Sequence, residues 1–359
     1  MKEKWAHRAD LAETAINERH AQRVWGFPRT NVAVVSWPPT NKERLLVHWH
    51  YWWQAHYLDC QVDAALRNNT KTRRARINDT IRGIQLRNLS KLTKNRYFDD
   101  KAWLALAFGR AGNLSKVKTP SQLAALQRNI NEGRDEQMGV LPWREGEHFF
   151  NVPSNGPGAI MLARMGKIDE ARFIVDWIYD HLVDDDGLIM DGVRMRMDGP
   201  ELVRNIHPYC QGVVLGACLE IALALRKKAN IGALENIESV IEAELAEDTM
   251  AYISHIRGLV QAVATHLATL PASSTGRPAT ATAGCSKAFW CAISLTWQCV
   301  CLAIPQRTAP PRSWLPAWCT PLPNRCGNTA WKSTACPSLV QTGLPMPACR
   351  TTTALAPPR

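Results

Sequence analysis

Two neighbouring aspartates, Asp99 and Asp100, are the residues whose type and spacing most directly suggest chemistry. Hydrolysis of a glycosidic bond needs two carboxyl groups. In retaining enzymes these lie about 5–5.5 Å apart, one acting as nucleophile and the other as acid and base. Adjacent aspartates at the N-cap and first position of a helix could supply both, because their side chains would point differently. They are also ordinary helix-start residues that satisfy free amides and the helix dipole, and the pair alone favours that structural role.

The residues around the pair favour a sugar cleft. Tyr97, Phe98 and Trp103 place aromatic rings on both sides of it. The segment 98–111 is predicted to be a helix, since it opens on the two aspartates and ends before Gly112.

A second candidate element is the loop that contains Trp143 and continues through Asn151 and Asn155. Amide side chains offer the paired donors and acceptors that suit sugar hydroxyls, and a tryptophan can stack on a pyranose ring. A turn rich in proline and glycine that uses asparagine for its backbone conformation is an equally good interpretation of this segment alone.

A third element joins 187–192 to 207–212. Asp191 could bind a sugar hydroxyl or only close a turn, and Tyr209 and Gln211 open the next predicted helix.

Two patterns that suggest metal sites are weak. The run 184–187 lacks the ligand spacing of a calcium loop and is interpreted as a solvated turn. His48 and His50 face different ways on a predicted helix, so a zinc site with His56 is not expected. Hydrolysis of a glycosidic bond by two carboxyl groups needs no metal or organic cofactor.

The elements that must position these residues are predicted to be helices. They are expected over 5–23, 47–66, 77–89, 98–111, 158–165, 168–183, 209–226 and 233–267, with loops over 139–157, 184–208 and 230–232. Long loops between helix pairs hold most of the tryptophan, asparagine and aspartate, as expected for a cleft at one end of a helical toroid. The fold class is therefore all-α.

The composition changes sharply near residue 270. All 32 acidic residues precede residue 271, whereas 89 residues from there to the end contain 13 Pro and eight of the 11 Cys. Most of the net charge of +11, namely +8, also lies in this tail, so the basic balance does not indicate nucleic acid as a partner. We interpret 271–359 as a frame-shifted, disordered tail. A permitted coding sequence for 279–294, read in another frame, gives an acid-containing, helix-compatible sequence.

The start of the chain is charged and has no apolar segment of a signal peptide. We therefore expect a cytoplasmic protein, or a secreted one if the start codon is misassigned. Scattered Cys60, Cys210 and Cys218 do not suggest a disulfide framework. No membrane association is expected, and the chain is expected to be a monomer.

Taken together, these elements resemble glycoside hydrolase family 76, the endo-acting α-1,6-mannanases. The resemblance rests on 51–56, with Trp53, and on 97–103, 143–144, 151–155, 187–192 and 209–212, which occur in the family's order across about 5–260. The alternative-frame sequence resembles the family's late motif. The family usually has asparagine at the position of Cys210.

The resemblance implies an (α/α)6 barrel, here lacking its last helices over 1–270, and retaining hydrolysis of α-1,6-mannosidic links in mannan. It implies Asp99 as the nucleophile and Asp100 as the acid/base, the latter with a pKa raised by its neighbour's charge. Substrate-binding roles follow for Trp53, Tyr97, Trp143, Asn151, Asn155, Asp191, Tyr209 and Gln211. Two alternatives stay open: another (α/α)6 sugar enzyme, such as an unsaturated glucuronyl hydrolase or an epimerase, and an inactive truncated remnant.

Overall fold

The computed structural model describes residues 2–118, 120–234 and 239–267, and it is dominated by helices. The helices are α1 (Lys2–Arg19), α2 (Asn41–Arg44), α3 (Tyr51–Arg67), α4 (Lys71–Arg87), α5 (Phe98–Gly112), α6 (Leu123–Glu132), α7 (Val152–Arg164), α8 (Ile168–Leu182), α9 (Pro208–Leu234) and α10 (Ser239–Ala262). The strands are β1 (Ala21–Gln22), β2 (Val32–Ala33), β3 (Phe149–Asn151), β4 (Met190–Arg196) and β5 (Gly199–Ile206).

The large helices form successive hairpins, α3 with α4, α5 with α6, α7 with α8, and α9 with α10. The first helix of each hairpin packs against the first helix of the next, so that α3, α5, α7 and α9 make a continuous inner layer. This is the hairpin arrangement of an (α/α)6 fold, and it confirms the all-α prediction. The predicted loss of the last barrel helices and the predicted tail over 271–359 lie outside the described residues.

The inner layer is held together by close approach of small residues. Every residue of α7 from Val152 to Ala163 is buried. A Cβ added to Gly156 would lie 2.2 Å from Cγ1 of Val213, so the glycine allows α7 and α9 to touch. Helices α7 and α9 are therefore closely packed here, and well-packed interiors tolerate little rearrangement.

Several elements differ from the sequence prediction. Helix α7 begins at Val152, inside the predicted loop 139–157, and α9 runs through the predicted loop 230–232. The helix α6 was not predicted, although Leu126 and Ile130 bury one of its faces. The predicted loop over 184–208 contains the antiparallel hairpin of β4 and β5, with β3 added alongside β4. This hairpin escaped prediction because mixed polar and apolar residues give it no clean alternation.

Helix α9 is also more apolar than the sequence analysis recognised. Its segment Pro208–Lys228 has a mean hydropathy of 1.5 and by length and composition alone could cross a membrane. However, 67% of its most apolar window is buried in the protein, where α9 packs against α7 and α10. Buried core helices of large helical domains have the same composition.

Candidate active site

The aspartate pair lies in the first turn of α5, but one step further along than expected. Tyr97 is the N-cap residue and its side chain makes no capping bond, so Asp99 and Asp100 stand at the second and third helical positions rather than at the N-cap and first. The reason is a backbone contact with residues 143–144. The N–H of Phe98 donates to the carbonyl oxygen of Trp143 at 3.0 Å, and Tyr97 pairs with Arg144 as an isolated β-bridge. This extended pairing delays the start of the helix.

Asp100 is held from two sides and is 6% exposed. Its Oδ1 accepts the main-chain N–H of Trp52 at 2.9 Å, and its Oδ2 accepts the Nδ2 amide of Asn95 at 2.9 Å. Trp52 lies in the first turn of α3, whose N-cap residue His50 makes no side-chain capping bond. The carboxylate of Asp100 therefore caps a second helix, and the N-terminal ends of α3 and α5 both favour negative charge there.

Asp99 has a different environment. Its Oδ1 accepts the N–H of Asp100 at 2.7 Å, and its Oδ2 accepts the indole Nε1–H of Trp143 at 3.2 Å. Burial, and secondly the charge of Asp100, raise the pKa of Asp99 to about 7. The sequence analysis expected a neighbouring charge to raise the pKa of Asp100, and the structure shows such a raised pKa for Asp99.

An aromatic wall stands beside Asp99. The rings of Tyr97 and Trp143 meet edge to face with centroids 5.0 Å apart, and the guanidinium of Arg144 lies 5.7 Å from the centre of the Tyr97 ring. Both aromatic side chains are half-buried. The sequence analysis predicted both as sugar-binding residues, and the structure places them beside Asp99.

Asp191 and Tyr209 are linked to the pair by electrostatic interactions. Asp191 is on β4, where the pairing with β5 is irregular, and such irregularities re-aim side chains. Burial raises its pKa, against the lowering effect of the positive groups on His207 and Arg194. Burial, Cys210, Asp191 and also the charge of Asp99 raise the pKa of Tyr209. The structure thus brings Asp99, Asp191 and Tyr209 into one electrostatic neighbourhood.

The three predicted amide contacts are placed beneath the site instead. Asn155 is fully buried, and its amide bonds the N–H and C=O of Leu141 at 2.8 Å each. Gln211, also fully buried, accepts from the N–H of Ile189 at 2.8 Å and donates to its carbonyl oxygen at 2.7 Å. Asn151 is 2% exposed and caps α7 through the N–H of Ser154. These amides fix the main chain that carries Trp143 and Asp191.

The predicted sugar-binding residue Trp53 lies in a ring cluster at the start of α3. Its indole contacts the rings of His48 and His50 at centroid distances of 4.9 and 4.6 Å, and that of Trp52 at 5.8 Å. His50 precedes the helix as its N-cap residue, so the two histidines are not on a helix as predicted. Among the described residues, no group of three or more His, Cys, Asp or Glu side chains has the placement of a metal site.

Two partners of the pair and one neighbouring residue were missed from the sequence. The main-chain N–H of Trp52 carries no sequence signal of its own. Asn95 could have been found, because an asparagine shortly before a helix often bonds the backbone ahead of it, as its Oδ1 does here with the N–H of Tyr97 at 2.9 Å. Lys101 gave a third signal, a charged residue on the apolar face of α5.

Comparison with known families decides the identity of this arrangement. The model of the family "Glycosyl hydrolase family 76" matches residues 12–228, which is more than half of the chain and runs from the second half of α1 into α9. The chain belongs to this family. It is therefore a glycoside hydrolase by descent, as its aspartate pair and aromatic wall suggested.

Solved structures show the same fold. The α-1,6-mannanase of Salegentibacter sp. HEL1_6 is 21% identical, with a TM-score of 0.62 over 84% of this chain and 82% of that one. An inactive variant of the same enzyme, with two successive aspartates replaced by alanine, was solved with α-1,6-mannotetraose and gives a TM-score of 0.60 at 19% identity. A protein from Listeria innocua is 21% identical, with a TM-score of 0.55 over 82% of this chain and 98% of that one. A search of curated proteins gave no match.

Proposed function

We propose that this family 76 protein cleaves α-1,6-mannosidic links within mannan, with retention of configuration. The observation that carries the proposal is the pair at the start of α5, in which Asp99 has a pKa of about 7 while Asp100 accepts two N–H donors. One shared proton on two carboxyl groups is what a nucleophile and an acid require. The similar mannanase that is inactive after loss of two successive aspartates supports the same pair here.

The reaction proceeds in two steps. Asp100 protonates the leaving oxygen while Asp99 attacks the anomeric carbon, which gives a mannosyl-enzyme. Asp100 then takes a proton from water, and the water releases the sugar from Asp99. The raised pKa of Asp99 allows the pair to hold one proton near neutral pH. The first step needs this proton on Asp100, and the positive charge that develops at the anomeric carbon in the transition state favours the ionised form of Asp99.

The residues around the pair supply the binding surface. Tyr97 and Trp143 present half-buried rings beside Asp99, and a pyranose ring can lie on them. Asp191 and Tyr209 offer an acceptor and a donor, and Tyr209 lies within the electrostatic influence of both Asp99 and Asp191. Trp53 extends the aromatic surface along the start of α3. Asn151, Asn155 and Gln211 hold this surface in place from below.

The remaining expectations concern partners. We propose that the chain acts on mannan as a monomer, without a nucleic-acid or membrane partner, because one chain carries both carboxyl groups and the surrounding rings. Light scattering of the purified protein tests the monomer. Family membership does not favour the glucuronyl hydrolase or epimerase alternatives.

The test uses the full chain and a linear α-1,6-mannan. Asp99→Asn and Asp100→Asn should each abolish the release of mannooligosaccharides, while Asp198→Asn, at an exposed aspartate between β4 and β5, should leave it unchanged. Unchanged activity in either of the first two variants removes that residue from its role.

Azide then separates the two roles. In the Asp100→Asn variant, azide should restore turnover and give a glycosyl azide of retained configuration, because the nucleophile is intact. In the Asp99→Asn variant, azide should give the inverted product. The opposite pattern would exchange the two assignments.

A further inference from the structure

Lys101, the residue after the catalytic pair, is completely buried although it carries an ammonium group. Its Nζ donates to Oδ1 of Asn129 at 2.7 Å and to Oε1 of Glu145 at 2.7 Å, and it lies 3.9 Å from the centre of the Phe98 ring. A buried ammonium is costly unless it is paired and hydrogen-bonded. Burial lowers the pKa of Lys101, whereas the hydrogen bond and charge of Glu145 act to raise it. A methionine of similar length would fill the same space without that cost.

Glu145 belongs to the segment that carries Trp143. We call residues 142–147 the strap. Its main chain is bonded to the start of α5, since Glu145 donates its N–H to the carbonyl oxygen of Arg96 at 2.9 Å and Phe98 donates to that of Trp143 at 3.0 Å. On its other side the N–H of Trp143 donates to the carbonyl oxygen of Phe149 at 2.7 Å. The strap therefore lies between α5 and β3, with Trp143 aimed at Asp99 and Glu145 aimed at Lys101.

We propose that the Lys101–Glu145 ion pair positions the strap so that the indole N–H of Trp143 stays on Oδ2 of Asp99. Lys101 is thus a positioning residue that acts through Trp143 and does not touch substrate. The inference rests on the proposed function in one respect, that Asp99 belongs to the reacting pair. Helix α5 then carries both the reacting carboxyl groups and, one residue later, the group that fixes their indole partner.

The geometry explains why the link matters for the chemistry. Trp143 donates to Asp99 at 3.2 Å, near the long end of a hydrogen bond, so a small displacement of the strap would break it. An N–H donor favours the charged form of a carboxyl group. Loss of the indole would therefore raise the pKa of Asp99 further. Asp99 interacts electrostatically with Asp100 on α5 and with Tyr209 on α9, which in turn interacts with Asp191 on β4, and all three groups are unchanged in the comparison.

The experiment measures the titration of Asp99 directly. The full chain is labelled with carboxyl-¹³C aspartate, and the Asp99 resonance is assigned by its loss in Asp99→Asn. Trp143→Phe should raise the Asp99 midpoint by about one pH unit, the shift expected for losing a hydrogen bond to a charged group. Lys101→Met should raise it in the same direction, and Lys101→Met added to Trp143→Phe should raise it no further. This non-additivity is the expected sign of two residues that act through one contact.

Two further variants test this interpretation. Lys167→Met removes a partly exposed lysine whose ion pair with Glu170 is distant in sequence from the strap, and it should not move the Asp99 midpoint. Glu145→Ala breaks the same link from its half-exposed end, so it should reproduce the Lys101→Met shift even if Lys101→Met fails to fold. The proposal is overturned if Lys101→Met or Glu145→Ala leaves the midpoint in place, or if the Lys101→Met shift adds fully to that of Trp143→Phe.

The titration also separates this proposal from the function itself. A protein without activity on α-1,6-mannan would refute the proposed function, yet the Asp99 midpoints would still be measurable and would still decide the role of Lys101. If the protein is active, Lys101→Met should also lower kcat/KM and move the pH at which activity declines by the same amount as the midpoint.

Discussion

Oδ1 of Asp100 accepts the main-chain N–H of Trp52 at 2.9 Å, which joins the first turn of α5 to the first turn of α3. The carboxylate so performs the capping function that the side chain of His50 does not. A group needed for chemistry thereby also satisfies a helix end. Asp100 is therefore buried, whereas Asp99 is half-buried beside Tyr97 and Trp143.

Asn95 is the side chain that completes this arrangement, and its removal tests it. Asn95→Ala should lower kcat/KM by about ten- to a hundredfold, because a hydrogen bond to a charged group contributes about 1.5–3 kcal/mol. Steady-state kinetics on an α-1,6-mannooligosaccharide measure the change. Asn95→Asp should be worse than alanine, since it places a like charge beside the Oδ2 of Asp100. An alanine variant with full activity would contradict the positioning role.

The pH dependence follows from the raised pKa of Asp99. The pair must hold one proton, so kcat/KM should fall as the pH rises through about 7. The same shift affects stability. Because the folded protein binds this proton more tightly than the unfolded chain, the free energy of unfolding should decrease between about pH 4 and about pH 7.

Asp99→Asn provides the control for both effects. It carries no titrating carboxyl group, so its melting temperature should depend less on pH across that interval than that of the unchanged protein. Equal slopes in the two proteins would show that the proton resides elsewhere.

Gln211 tests the buried amides beneath the site. Gln211→Leu keeps the volume but leaves the N–H and C=O of Ile189 without their partner. An unsatisfied buried group costs about 1–3 kcal/mol, so the free energy of unfolding should fall by about 2–4 kcal/mol. Chemical denaturation measures it. Gln137→Leu, at an exposed glutamine, is the matched control and should change stability by less than about 0.5 kcal/mol.

Substitution of Asp191 tests its proposed role in binding the sugar. If it accepts a hydrogen bond from a sugar hydroxyl, Asp191→Asn should lower kcat/KM by about ten- to a hundredfold while azide rescue stays without effect, because no step of bond cleavage is lost. A variant that behaves like Asp100→Asn towards azide would instead make Asp191 a proton-transfer residue.

The sequence predicted the aspartate pair, its aromatic neighbours and the all-α class because each depends on local composition. The predicted helices 98–111 and 168–183 also came close to the observed Phe98–Gly112 and Ile168–Leu182, since both have clear apolar faces. What it could not predict was which donors reach each carboxylate. The bonds of Asp100 to Trp52 and Asn95 depend on how α3 approaches α5, which is a tertiary relationship.

The same reason applies to Asn155 and Gln211, the amides that the sequence analysis assigned to sugar binding. Asn155 and Gln211 look like sugar-binding residues in the sequence, but the main chains of Leu141 and Ile189 take up their donors and acceptors. Only packing reveals that these side chains are fully enclosed. Family resemblance proposed these segments, and the structure separates their half-buried side chains, such as Trp143, from the enclosed amides that hold the main chain in place.

The most direct test of the account is a proton NMR time course of the full chain acting on α-1,6-mannotetraose. The account predicts shorter mannooligosaccharides whose new reducing ends first appear in the α configuration, and no products from the Asp99→Asn/Asp100→Asn double variant. First products in the β configuration, or equal product formation by the double variant, would contradict the claim that these two aspartates cleave the bond with retention.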